Sequence, residues 1–142
     1  MTIHEVETFL NSYIKSKKRY NSIMLDVEEI ETQLMKTTLD YTKERVQASP
    51  RQDKLANSVD RLNFLHKECI RIAEECTSNM ERVLYVINKV QDSTLHGILT
   101  RKYIVGETWE QISVELTFVT RHIYRLRHKA LVEVKKYVEE IQ

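Results

Sequence analysis

At 142 residues, 42% hydrophobic and 30% charged, the chain is long enough for one domain, or for one domain with a long appendage. Two glycines and one proline leave little of the punctuation that turn-rich sheets need, and leucine, isoleucine and valine are ample for a core, so an all-α fold is expected and disorder over the whole length is not. The formal net charge of +1 conceals an asymmetry: 14 basic and 15 acidic side chains lie up to Thr94, against 8 basic and 6 acidic beyond it, so the positive excess is local to the last helix.

No apolar run approaches the roughly 20 residues that a membrane span needs. The opening residues lack the basic-then-apolar design of a signal peptide, so a cytosolic protein without membrane association is expected.

The first long helix is expected over residues 2–37, opened by a capping box between Thr2 and Glu5. Val6, Phe9, Tyr13, Ser16, Tyr20, Ile23, Val27, Ile30 and Leu34 alternate by three and four, a coiled-coil-like seam with one polar member. Lys15, Lys17, Lys18 and Arg19 form a basic cluster within it, read as a solvated face. The seam lapses between Thr37 and Arg51, where Ser49-Pro50 marks the expected break and reversal, because proline disfavours helix at the residue before it.

A second long helix is expected from Pro50 or Asp53 to Val90. Its seam runs Leu55, Val59, Leu62, His66, Cys69, Ala73, Cys76, Met80, Val83, Ile87 and Val90, with Thr77-Ser78-Asn79 as a place where it could be interrupted. Two such seams with a modest connection predict a long antiparallel helical hairpin over residues 1–91, although the same seams could pair between chains. Asp92-Ser93-Thr94 is the next joint, where a short hinge would let residues 92–142 move as a separate C-terminal domain.

That domain carries the chemistry. Gly106 suits a left-handed helix end, and Thr108-Trp109-Glu110-Gln111 has the form of a capping box. Trp109, Ile112 and Leu116 share a stripe, Thr117-Phe118-Val119 reads as a tight turn, and helix resumes near Thr120 as N-cap. The inner face of this last helix is expected to be Ile123, Leu126, Ala130, Val134, Tyr137 and Ile141. Its outer face holds Arg121, His122, Arg125, His128 and Lys129, with Tyr124 and Arg127 towards the flanks. A charge run on a helix is usually a solvated face. Here no carboxylate occurs before Glu133, and like charges three and four apart cost an isolated helix a few tenths of a kcal/mol each, so an anionic ligand is the better reading.

The run from Arg101 to Leu131, with RKYIVGETWEQI ahead of the first motif helix and IYRLRHKAL in the second, resembles region four of bacterial sigma factors. It is more similar still to the small phage transcriptional regulators of the ArpU and RinA type. The likeness extends upstream, since that group joins a long helical N-terminal half to the motif. Two positions depart from the pattern: Thr117 stands where a turn glycine is expected, and Val119 where a capping serine is usual.

The resemblance implies a C-terminal helix-turn-helix domain and a phage- or prophage-encoded transcription regulator of late genes. It would act on double-stranded DNA in the cytoplasm of a bacterial host, with contact to RNA polymerase left open. Thr120, Arg121, His122 and Arg125 would lie nearest the bases of a major groove, with Arg121 and Arg125 able to offer paired donors to guanine. His128, Lys129 and Arg127 would meet phosphates. A homodimer through the long helices would double those contacts.

Other chemistry has little support. His66, Cys69 and Cys76 fall on the apolar seam, where a thiol packs as a hydrophobe, and they lack the closed four-ligand shell of structural zinc. Cys69 and Cys76 are about 10 Å apart by helix rise, beyond disulfide reach. There is no glycine-rich phosphate loop, nucleophile elbow or metalloprotease helix motif, so neither an enzyme nor a cofactor is expected. The rival readings are a phage DNA-packaging adaptor of the small-terminase kind, expected to form a ring of eight or more subunits, and an RNA-polymerase- or sigma-interacting module that does not touch DNA.

Overall fold

The computed structural model describes residues 1–43 and 49–142, and side chains outside 38–52. Every regular element among the described residues is helical: α1 (Ile3–Leu10), α2 (Ser12–Lys43), α3 (Ser49–Asn88), α4 (Ser93–Thr100), a π-helical turn (Arg101–Val105), α5 (Trp109–Glu115) and α6 (Thr120–Ile141). No helix among them is long and apolar enough to cross a membrane.

The Thr2 capping box forms. The Thr2 amide donates to Glu5 Oε2 at 2.6 Å, and the Glu5 amide donates to Thr2 Oγ1 at 3.2 Å. That backbone hydrogen bond from Thr2 holds the Glu5 carboxyl below its ordinary pKa.

The single helix expected over 2–37 is divided at Asn11, whose φ of −75° and ψ of −9° depart from helical values. Asparagine is a poor interior helix residue because its side chain competes for the backbone. The division is shallow, since the Asn11 amide still donates to the Glu7 carbonyl at 2.9 Å and the Lys15 amide to the Asn11 carbonyl at 2.9 Å.

Ser49 and Pro50 open α3 and are therefore not the reversal; proline is tolerated in a first helical turn, where its missing amide has no partner to lose. The connection itself lies outside the described residues. Nor does α3 break at Thr77-Ser78-Asn79. Asn79 instead donates from Nδ2 to the Ser12 carbonyl at 3.4 Å and to Ser16 Oγ at 3.3 Å, which satisfies the buried Ser16.

The chain forms two compact units, one of residues 1–16 with 76–142, the other of residues 17–75. In the second, Val27, Ile30, Cys69 and Ile72 are the buried apolar side chains described. Met24 Sδ lies 3.6 Å from Cys69 Sγ, and Glu31 Oε1 lies 3.7 Å from His66 Nε2. Burial pushes the Cys69 thiol above its ordinary pKa, which keeps it protonated. The α3 seam differs from the expected one: Val59 is 41% exposed and the His66 side chain half exposed, while Ile72 is fully buried. The heptad itself is kept: Leu55, Leu62, Cys69, Cys76, Val83 and Val90 stay on the covered side. Ser58, Leu65, Ile72 and Val86 take the intervening places one residue earlier than expected, because spacings of three and of four both stay on one helix face.

The first unit is better filled. Its larger core joins Val6, Phe9 and Leu10 of α1, Val83, Val86 and Ile87 of α3, Leu95 and Leu99 of α4, Tyr103, and Ala130, Leu131, Val134 and Val138 of α6. A smaller core joins Ile98, Ile112 and Ile123. The larger core thus crosses the joint at Asp92, so the two sides of the expected hinge share buried side chains. The inner face of α6 is wider than expected, with Leu131 and Val138 buried and Tyr137 and Ile141 at the margin, because α6 packs on both α1 and α4.

Leu10→Ala, which empties a fully buried site, is expected to lower stability by about 3 kcal/mol and to open α6 together with α1. Urea unfolding and hydrogen exchange at the α6 amides measure the two effects. Unchanged α6 protection would show that residues 92–142 fold apart from α1.

Candidate nucleic-acid interface

The cationic helix is positioned by a run of local devices that begins at Asp92. Its carboxylate accepts from the Thr94 amide at 2.9 Å and the Leu95 amide at 3.1 Å, capping α4. The π-helical turn ends at Gly106, whose φ of 91° is left-handed and easiest without a β-carbon. The Gly106 and Glu107 amides both donate to the Arg101 carbonyl, at 3.1 and 3.0 Å. The expected capping box follows, with the Thr108 amide donating to Gln111 Oε1 at 2.9 Å and the Gln111 amide to Thr108 Oγ1 at 3.2 Å. Arg101 bonds Glu115, which ties the end of α5 back to the π turn.

The turn from Leu116 to Val119 sets the direction of α6. Phe118 is tied to Ser113 twice: its amide donates to the Ser113 carbonyl at 3.0 Å, and its carbonyl accepts from the buried Ser113 hydroxyl. Thr117 reverses the chain at φ 56°, so a β-branched residue takes the left-handed conformation that glycine would adopt more easily. Thr120 is not the N-cap. Val119 is, at φ −70° and ψ 149°, and it has no side-chain acceptor to offer; Thr120 is the first helical residue. The doubly bonded Phe118 fixes where the chain leaves the turn, one residue earlier than the threonine suggested.

Thr120, Arg121, Tyr124, Arg125, His128 and Lys129 are exposed. Arg121, Arg125 and Lys129 stand four apart on one line of the helix, and among the described residues none of them has a carboxylate partner. His122 is half-buried, its ring set edge-on against Phe118 with centroids 4.9 Å apart.

Arg127 is placed apart from the others. Its Nε donates to Glu7 Oε1 at 3.1 Å and its Nη2 bonds the same oxygen, while the guanidinium carbon lies 5.6 Å from the Trp109 ring centre. The Glu7 hydrogen bond raises the Arg127 pKa further. Lys102 Nζ lies 5.5 Å from the Trp109 ring centre, and Tyr103 meets that ring edge-on at 6.4 Å. Burial first, then the Glu7 carboxylate, push the Tyr103 hydroxyl above its ordinary pKa, against an opposing pull from Arg127. Arg127 therefore fastens α6 to α1 and stacks on the head of α5, a role assigned by a residue 120 positions away in sequence. The phosphate contact expected of it would have to compete with Glu7.

No group of three or more His, Cys, Asp or Glu side chains among the described residues converges as a metal site. His66 stands on an open flank beside Glu31, away from the buried Cys69. Comparison with protein-family models, with curated proteins and with solved structures finds no match to this chain.

Two outcomes follow from this geometry. Val119→Ser supplies the missing cap acceptor and is expected to raise stability by about 1 kcal/mol, measured by thermal unfolding. Tyr103 remains protonated in the folded protein beyond the ordinary tyrosine value of about 10, so its contribution is complete below pH 10 and is lost as pH climbs past 10. Tyr103→Phe is expected to remove that share of the alkaline decline, as followed by urea unfolding at pH 9 and pH 11.

Proposed function

We propose that the chain binds double-stranded DNA through α6, with α5, the Leu116–Val119 turn and α6 acting as a helix-turn-helix of the sigma-region-four kind. One observation carries this reading: Arg121, Arg125 and Lys129 form an exposed cationic line without carboxylate partners, on a helix whose inner face is held by Ile112 and Ile98 through Ile123. An exposed line of unneutralised guanidinium and ammonium groups on a rigid helix suits a polyanion.

In this reading the start of α6 enters the major groove. Thr120, Arg121, His122, Tyr124 and Arg125 lie nearest the bases, and His128 and Lys129 meet phosphates. Arg121 and Arg125 are the candidates for paired hydrogen bonds to guanine. Arg127 contributes through the Glu7 link, which holds the angle of α6.

The wider role follows the sequence resemblance: a phage or prophage regulator of late transcription, working in the bacterial cytoplasm, with RNA polymerase as a further partner. The helices α2 and α3 are read as the arms of an antiparallel hairpin, since the partner of Met24 is Cys69 and that of Glu31 is His66, the two helices counting in opposite directions. Two copies joined through these arms would double the phosphate contacts of a single α6.

The test is direct. Duplexes selected from a random pool with the purified chain should bind with a steep salt dependence. Arg121→Ala with Arg125→Ala is expected to weaken binding by about tenfold or more and to flatten the slope of log affinity against log salt by about one for each phosphate contact removed. Binding and slope both unchanged by the two substitutions would refute the reading.

A further inference from the structure

Within residues 17–75, α2 and α3 have one seam and little else. Val27, Ile30, Cys69 and Ile72 are buried there, but a pair of helices has no enclosed interior, and helices of this length take most of their stability from packing of an apolar face. On the side of the pair marked by Glu31 and His66, the two helices leave a further set of apolar side chains in solvent. Met35 is 69% exposed, Ile70 is 61% exposed and Val59 is 41% exposed, with Met24 half-buried.

These residues fall into three layers. Met24, Glu31 and Met35 are spaced seven and four along α2, and Val59, His66 and Ile70 seven and four along α3, so each trio lies on one helix face. The Met24–Cys69 and Glu31–His66 contacts set the register between the helices. Met24 therefore falls level with Ile70 and Met35 with Val59, while His66 falls level with Glu28 and is reached by Glu31 from three residues further along α2. An apolar layer, a polar layer and a second apolar layer result, with half of the Glu31 and His66 side-chain surface still open.

We propose that this flank is the homodimer interface, and that two copies close it into a four-helix bundle whose two-fold axis runs along the bundle. The inference rests on the homodimer reading above and names its surface. A two-fold axis along the bundle places α2 of one copy against α3 of the other at the same level. Met24 then meets Ile70 of the second copy, Met35 meets Val59, and the His66 imidazole of each copy meets Glu28 of the other, with Glu31 within reach from the next turn. Apolar groups face apolar groups and the acid faces its base. A two-fold axis across the bundle would instead set α2 against α2 of the second copy, so that Glu28 and Glu31 face carboxylates, and like charges there would oppose pairing. The charge pattern thus selects a second copy of this chain in one orientation, with self-complementary contacts as a two-fold interface requires.

Sedimentation equilibrium of the full chain is expected to give a dimer at micromolar concentration. Val59→Glu with Ile70→Glu is expected to raise the dimer dissociation constant about a hundredfold or more, because each copy would bury unpaired carboxylates. Both positions are exposed in the single chain, so the helical circular dichroism should be retained. The register has its own test: Glu31→Lys and His66→Glu are each expected to weaken self-association, and an equimolar mixture of the two single variants should form the mixed dimer in preference to either homodimer, as read by native mass spectrometry.

A monomer up to about 100 micromolar, a dimer indifferent to Val59→Glu with Ile70→Glu, or a ring of eight or more subunits would each overturn the proposal. So would a mixture that shows no preference for the mixed dimer. Salt-dependent DNA binding by a protein that proves monomeric would overturn the interface alone and leave the DNA reading standing. Loss of DNA binding with the dimer intact would do the reverse.

Discussion

The packing of α6 against α1 and α4 is the constraint on which the rest of the first unit depends. Ala130, Leu131, Val134 and Val138 insert into the larger core, and Ile123 inserts into the smaller one. The same helix is therefore fixed at its start by one cluster and along its second half by another. Side chains in close-packed interiors sit in narrow rotamer wells, so a helix anchored twice has little freedom to roll. The line of Arg121, Arg125 and Lys129 inherits that fixed direction.

Polar contacts refine what the cores establish. The Trp109 ring is approached by two cations, Lys102 and Arg127, and by the edge of Tyr103, while Glu7 closes the group from α1. Cation–ring contacts of this kind are worth about 0.5–2 kcal/mol, depending on how dry they are. Their larger effect here is geometric, since α1, the π turn, α5 and α6 all contribute to one cluster. The turn beside it shows the opposite economy. Thr117 in a left-handed conformation and the uncapped Val119 both work against local stability, and the double tie between Phe118 and Ser113 holds the shape regardless.

Much of the local structure was legible in the residues, because it is made of local contacts. The Thr2–Glu5 and Thr108–Gln111 boxes, the left-handed Gly106, the Asp92 start of α4 and the stripe of Trp109, Ile112 and Leu116 all depend on neighbours within a few positions. What could not be read has a long sequence separation or two registers that the spacing fits equally. Arg127 looked like one more member of a cationic face, and only the arrival of Glu7 from α1 distinguishes it. Leu131 and Val138 lie outside a single-sided stripe and became core because α6 has two neighbours. Along α3 a heptad through Val59 and His66 and one through Leu65 and Ile72 fit the same spacing rule, and the packing takes the second. In the candidate interface, exposure of six polar side chains followed directly from the helix phase of α6, while their ligand does not follow from exposure alone.

The docking of α1 on α6 also bears on how the molecule is made. Glu7 finds its partner 120 residues further along, and Val6 and Leu10 share a core with Val134 and Val138. A ribosome adding about 5–20 residues per second leaves α1 waiting several seconds before that partner has been synthesised. During the wait, its apolar side faces solvent or whatever else is near. Closing so long a loop is slow compared with forming either helix. Synthesis of α6 therefore completes the packing of α1, and α1 stays unfinished until the cationic helix arrives.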